Sequence, residues 1–180
     1  MKSLKTTLLG LSMCGLLFFS SCSEKEQTVD YTVEITGYTF GPFVSPPDLW
    51  HEQAIVETSD LEAILNDYNA SLDNVKKIEP KEITITTTAP AGANFNAIQF
   101  AEVKITAPGK DTVKIAYTDG EVADGLTSIS LASQGNNIMD YLRDDQFSIL
   151  VRIFNNDPQA TEQTYNAKVV FSVQTKGTND

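Results

Sequence analysis

The stretch Thr28-Val29-Asp30-Tyr31-Thr32-Val33-Glu34-Ile35-Thr36 decides the fold class. Val29, Tyr31, Val33 and Ile35 fall on one side of a period-two repeat, with Thr28, Asp30, Thr32, Glu34 and Thr36 on the other. Strict alternation rich in β-branched side chains predicts a strand with one face in a core and one in water. After Gly37 the apolar positions become Tyr38 and Phe40, even-numbered rather than odd. A β-bulge at Gly37 shifts the face by one residue and accounts for the change. Gly41-Pro42 and Ser45-Pro46-Pro47 then predict a loop, because proline has no N–H to give to a ladder.

Outward from this strand, the period changes once. Ser59-Asp60-Leu61-Glu62 has the spacing of a capping box, and Leu61, Ile64, Leu65, Tyr68 and Leu72 follow at intervals of three and four. That pattern predicts one short amphipathic helix, its stripe covering the open end of a β-domain. The remainder reads as strands. Ile83, Ile85 and Thr87 alternate, and Phe100, Val103 and Ile105 lead through Pro108-Gly109, a type II turn, to Val113, Ile115 and Tyr117. Leu126, Ile129 and Leu131 predict another strand, and Asn137–Leu142 a single helical turn. Phe147, Ile149, Val151 and Ile153 face one way, Leu150 and Phe154 the other, as in a strand covered on both sides. Tyr165, Ala167, Val169, Phe171 and Val173 complete an expected final hairpin after the Asn155–Pro158 turn.

The expected fold is therefore mainly β: a two-sheet antiparallel, immunoglobulin-like sandwich of seven to eight strands with one short helix. Its pairing order stays open. No helix separates the strands at βαβ spacing, which excludes a parallel doubly wound sheet. No internal repeat points to a solenoid or propeller.

Composition agrees with one globular domain: 180 residues, 41% hydrophobic, 21% charged and 7 prolines. Lys2 and Lys5 precede an apolar run from Leu8 to Phe19, too short to span a bilayer and suited to the core of an export signal. Ser20 and Ser21 follow, then Cys22. Removing residues 1–21 takes two lysines, Cys14 and no acid, and moves the net charge from −11 to −13. The remaining chain has one cysteine, Cys22, and one histidine, His51. Such a chain has no disulfide framework and no cysteine or multi-histidine metal site, and its charge repels nucleic acid.

The Phe19-Ser20-Ser21-Cys22 sequence resembles the lipobox of a bacterial lipoprotein, with Phe where leucine is common. The resemblance implies cleavage before Cys22, acylation of that residue and attachment to the membrane through lipid. Ser23-Glu24-Lys25-Glu26 is similar to the acidic sorting stretch of Bacteroidota-type outer-membrane lipoproteins, and equally suits a plain solvated tether. Asp111-Thr112-Val113 resembles the O-glycosylation pattern of that phylum. The layout as a whole resembles small lipoproteins of that type with an uncharacterised β-sandwich. The expected organisation is a signal peptide over 1–21, a lipidated tether over 22–28, a β-domain over 29–176 and a flexible tail over 177–180.

Four segments are candidates for chemistry. Trp50, in Pro46-Pro47-Asp48-Leu49-Trp50-His51-Glu52, either stacks on a sugar ring from a stiff loop or plugs the end of the sandwich. In the first case Asp48, His51 or Glu52 bonds the sugar hydroxyls; in the second His51 stays at the surface. The Asp119–Gly125 loop is acidic but departs from EF-hand spacing, and its ordinary role is a turn. Asp144-Asp145 and Asn155–Asp157 are candidates for the same end of the domain. A pair of carboxylates can hydrolyse glycosides, but no sequence spacing marks one. No nucleophile-elbow motif accompanies His51.

The function expected is a lipid-anchored, non-catalytic binding or structural accessory of the outer membrane, displayed at the surface or facing the periplasm. It needs no cofactor and no metal. The alternatives are a carbohydrate-binding lipoprotein using Trp50 and, behind it, a carboxylate-based hydrolase.

Overall fold

The computed structural model describes residues 26–43, 49–159 and 161–176. Its strands are β1 (Gln27–Phe40), β2 (Leu49–Thr58), β3 (Val75–Ala89), β4 (Ile98–Thr106), β5 (Val113–Tyr117), β6 (Ser128–Ser133), β7 (Gln146–Asn155) and β8 (Gln163–Thr175). Two short helices, α1 (Leu61–Asp67) and α2 (Met139–Leu142), and a 3-10 turn at Leu72–Asn74 lie between them. The chain is mainly β, and its strand pairs are antiparallel.

The strands join in the order β1-β8-β3-β6-β5-β4-β7-β2. β6 links the two halves: Ser128–Leu131 pair with β3, and Ala132 and Ser133 pair with β5. The sheet curls until its ends, β1 and β2, come close, in a nearly closed, barrel-like shape. An immunoglobulin domain sets its first strand beside its second. Here β1 pairs with β8 and β2 with β7, so the immunoglobulin order is not adopted. Nor do β7 and β8 form the expected final hairpin. Both edges of β7 are taken by β4 and β2, and both edges of β8 by β1 and β3.

The deciding strand behaves as its alternation requires. Val29, Tyr31, Val33 and Ile35 are buried, while Thr28, Asp30, Thr32, Glu34 and Thr36 are exposed. The register against β8 slips between Ile35 and Tyr38, which turns Tyr38 and Phe40 inward. Gly37 sits at the slip with φ +72°, and its N–H donates to Asn166 Oδ1 at 3.0 Å. That left-handed backbone is what glycine supplies without a Cβ penalty. On β8, Tyr165, Ala167, Val169, Phe171 and Val173 alternate into the same core, where Phe171 stacks on Tyr31 at 5.9 Å.

Several local expectations need revision. No capping box forms: Asp60 is the N-cap of α1, without a side-chain cap. Ser59 Oγ donates to the Leu142 carbonyl at 2.8 Å, tying the helix start to α2 instead. The helix stops at Asp67, so of the predicted stripe only Leu61 and Leu65 are fully buried, and Tyr68 is exposed. β3 begins at Val75, before the alternating Ile83 and Ile85, and carries Pro80 at a register slip, where a missing N–H is tolerated. The Pro108-Gly109 turn forms as predicted, with Gly109 at φ +73° and Lys110 N–H donating to Ala107 O at 3.0 Å. β1 starts at Gln27, inside the segment read as tether, and Glu26 pairs with Lys76 at 2.7 Å. Cys22, the export signal over 1–21 and the tail over 177–180 lie outside the described residues.

Candidate functional site

The two halves of the sheet present different outer faces. On the β1-β8-β3 side the outer residues include Glu34, Thr36, Thr84, Thr86 and Lys168, a polar surface. The β5-β4-β7-β2 side carries three rows of a different kind, set by cross-strand register. Trp50, Phe154 and Phe100 form the first row. Glu52, Arg152, Glu102 and Tyr117 form the second, and Ala54, Leu150, Lys104 and Lys114 the third. Side chains two apart on a strand share a face, so the rows lie side by side.

Trp50 is on strand β2 and not on a proline-stiffened loop, and it does not plug the end of the domain. It is 43% exposed. The Phe154 ring lies 5.4 Å from it, and the Arg152 guanidinium carbon sits 4.7 Å from its centroid. A cation over the indole and an aromatic beside it hold the ring in one place while leaving much of it in water. Phe100 continues the row at 6.2 Å from Phe154. Beside the row runs a groove of about 290 Å³, lined by Trp50, Phe100, Glu102, Lys114 and Tyr117 among others.

Tyr117 reaches this face through a bulge. The β4–β5 register slips between Val103 and Lys104, so Ile115 and Ala116 both turn inward. Lys114 and Tyr117 then share the outer face, with the Lys114 ammonium 5.1 Å from the Tyr117 ring centre. Simple alternation had put Tyr117 on the inner side with Ile115. Under the groove, the Glu102 carboxylate is nearly buried and faces three cations. Arg152 donates to it, Lys104 Nζ lies at 3.2 Å and Lys114 Nζ at 3.7 Å. Arg152 Nε also lies 2.9 Å from Glu52 Oε2.

His51 points to the other side of β2. Its ring stacks on Phe43 at 4.3 Å, and Nε2 and Asn155 Oδ1 are 2.8 Å apart. Trp50 and Glu52 therefore share a face, and His51 does not join them. Asp48 lies outside the described residues.

In the acidic loop, Glu121 and Asp124 border a hollow of about 510 Å³ together with Asp157. Asn156 lines the same hollow, whereas Asp144 and Asp145 lie in a different one of about 650 Å³ with Thr58 and Pro108. Glu121 accepts from Gln99 Nε2 at 2.6 Å. Among the described residues, no group of three or more histidine, cysteine, aspartate or glutamate side chains is placed to hold a metal ion. A cleft of about 240 Å³ between β1 and β2 contains Tyr31, Glu34, Glu57 and Asp60. Burial, followed by the neighbouring Asp60 charge, pushes the Glu57 carboxyl up from its ordinary range. Thr112 is exposed in the β4–β5 turn.

Phe100, Glu102, Lys114, Tyr117, Arg152 and Phe154 escaped the reading of the sequence as site residues. One signal was present: Arg152 lies between Leu150 and Phe154 in the same parity. A charged residue there marks a face open to water, not a covered one.

No family model matches the chain, and no curated protein does. Among solved structures, the decameric BFDV capsid protein is similar at TM-score 0.42 and 12% identity, over 84% of this chain and 99% of that one. The 60-mer form of the BFDV capsid protein gives 0.39 and 10%, over 88% and 98%. Desmodium yellow mottle tymovirus gives 0.29 and 10%, over 100% and 98%. Likenesses of this degree leave the function to be argued from the chain's own residues.

Proposed function

We propose that the protein is a lipid-anchored, non-catalytic binding module of the outer membrane, and that its ligand is a glycan stacked on Trp50. One observation carries the reading: the indole is held by Arg152 and Phe154, yet remains 43% exposed beside a groove. A sugar ring presents C–H bonds on its faces and hydroxyls at its rim. An aromatic platform beside fixed carboxylates and cations offers a partner to each. The placement costs little order on binding, since the ring is already restrained.

The anchor rests on the lipobox-like sequence ending at Cys22. The Ser23–Lys25 stretch would link the anchor to the domain, which begins beside Glu26, whether at the cell surface or facing the periplasm. For the fold, the finer reading we favour is a two-sheet sandwich in which β1-β8-β3-β6 faces β5-β4-β7-β2. That is a jelly-roll order, an architecture used by lectins among others.

Two experiments test the proposal. Cys22→Ala is expected to move the protein from the membrane to the soluble fraction; retention in the membrane would overturn the anchor. In affinity electrophoresis through gels containing polysaccharides, the wild-type chain is expected to be retarded by at least one glycan and Trp50→Ala by none. Equal retardation of both would overturn the role of Trp50. The competing hydrolase reading draws on the raised Glu57 carboxyl. Release of reducing ends by the wild type, lost in Glu57→Gln, would replace our reading with that one.

A further inference from the structure

The charges around the groove narrow the class of glycan. The chain as a whole carries a net charge of −11, with 13 basic residues. Three of those basic residues, Lys104, Lys114 and Arg152, converge on the single Glu102 carboxylate. Glu52 adds one more carboxylate through Arg152, so among the described residues the cluster holds three cations against two anions. A local positive surplus thus lies within a strongly acidic molecule, beside the exposed aromatics. Such a surplus attracts and orients an anion that the rest of the surface repels.

The cations are not equally engaged. Arg152 is bound between Glu102 and Glu52, and Lys104 lies closer to Glu102 than Lys114 does, at 3.2 Å against 3.7 Å. Lys114 also has the more exposed side chain, and it lines the groove with Trp50. An ammonium has three N–H donors, and Glu102 engages at most one or two of them. Lys114 therefore has capacity for a second carboxylate, presented from the groove.

We propose that the ligand is an acidic glycan: a chain of hexuronate residues whose ring stacks on Trp50 and whose carboxylate pairs with Lys114. This rests on the glycan reading above and adds the charge of the sugar to it. A charge-assisted pair at this position is stronger than a hydrogen bond to a neutral group, and salt weakens it.

The test uses the full-length protein in detergent, with calorimetric titration of oligogalacturonates and alginate oligosaccharides. Each acid is compared with its own methyl ester, and neutral oligosaccharides and dextran sulfate complete the set. One acid is expected to bind about tenfold or more tightly than its ester at low salt, a preference that shrinks in 0.5 M NaCl. Lys114→Met is expected to abolish the preference, so that acid and ester bind alike, and Trp50→Ala to weaken both. Equal binding of acid and ester, or binding of neutral sugars alone, would overturn the acidic class and leave the glycan reading intact. Absence of binding to every sugar would overturn both. Binding of dextran sulfate as tight as that of the acids, unaffected by Trp50→Ala, would show a nonspecific attraction of polyanions and also overturn the proposal.

Discussion

Tyr38 illustrates what one buried polar atom does to its surroundings. Its ring packs at 5.8 Å from Tyr165 and 5.7 Å from Phe40, while its hydroxyl is buried with no hydrogen-bond partner. The hydroxyl of Tyr165, by contrast, donates to Gln163 Oε1 at 3.1 Å. An unmet buried hydroxyl costs about 1–3 kcal/mol, and replacing it with hydrogen removes that cost without opening a cavity. Tyr38→Phe is therefore expected to raise the thermal midpoint, and a fall would show that the hydroxyl is satisfied. At this scale the sequence was informative about Tyr38 itself, because the parity change at Gly37 aims it inward. It was uninformative about partners. Pro46 and Pro47 draw attention to Trp50, yet the placement of its ring depends on Arg152 and Phe154, which are distant in the chain. His51 looked like part of the same site only because it is adjacent in sequence, and strand alternation sends it to the opposite face.

Among the elements, β8 bears the heaviest packing. It lies between β1 and β3, and Phe171 is fully buried against Tyr31. Truncating such a side chain removes its contacts and leaves a cavity. Phe171→Ala is expected to cost about 3–5 kcal/mol, read as a lowered urea midpoint. A loss below about 1 kcal/mol would mean that the core collapses around the gap. β1 and β8 were legible because one face of each is apolar without interruption. β2 was not, since its inward residues are His51, Gln53, Ile55 and Glu57, and its outward ones include Trp50 and Val56. An edge strand half exposed on both faces has no alternation of hydrophobicity to read. The failed capping box has a similar cause: Ser59 Oγ turns to donate to the Leu142 carbonyl, 83 residues away, and the N-cap position falls to Asp60.

For the whole molecule, the sequence conveyed the class and the count of strands, but not their order. Pairing depends on which edges are free once the chain has curled, and no local pattern records that. The closed core has a consequence for pH. Burial raises the phenol of Tyr165 to about 12, and burial also raises those of Tyr31 and Tyr38, for Tyr31 with help from the Asp60 carboxylate. Above pH ~10 the unfolded chain releases these protons while the folded one keeps them, so stability falls as pH rises, by about 1.4 kcal/mol per pH unit for each tyrosine. Chemical denaturation between pH 9 and 11.5 should show this decline, and a flat profile would contradict it. The acidic surface and the cationic groove lie on the same small domain, and the proposed binding face is where that contrast falls. Trp50 is the only tryptophan in the chain, so its fluorescence reports on that face alone. Titration with glycan should shift its emission to the blue and shield it from acrylamide. An emission spectrum and quenching constant unchanged at saturating concentrations of every sugar tested would contradict a glycan-binding role for this face.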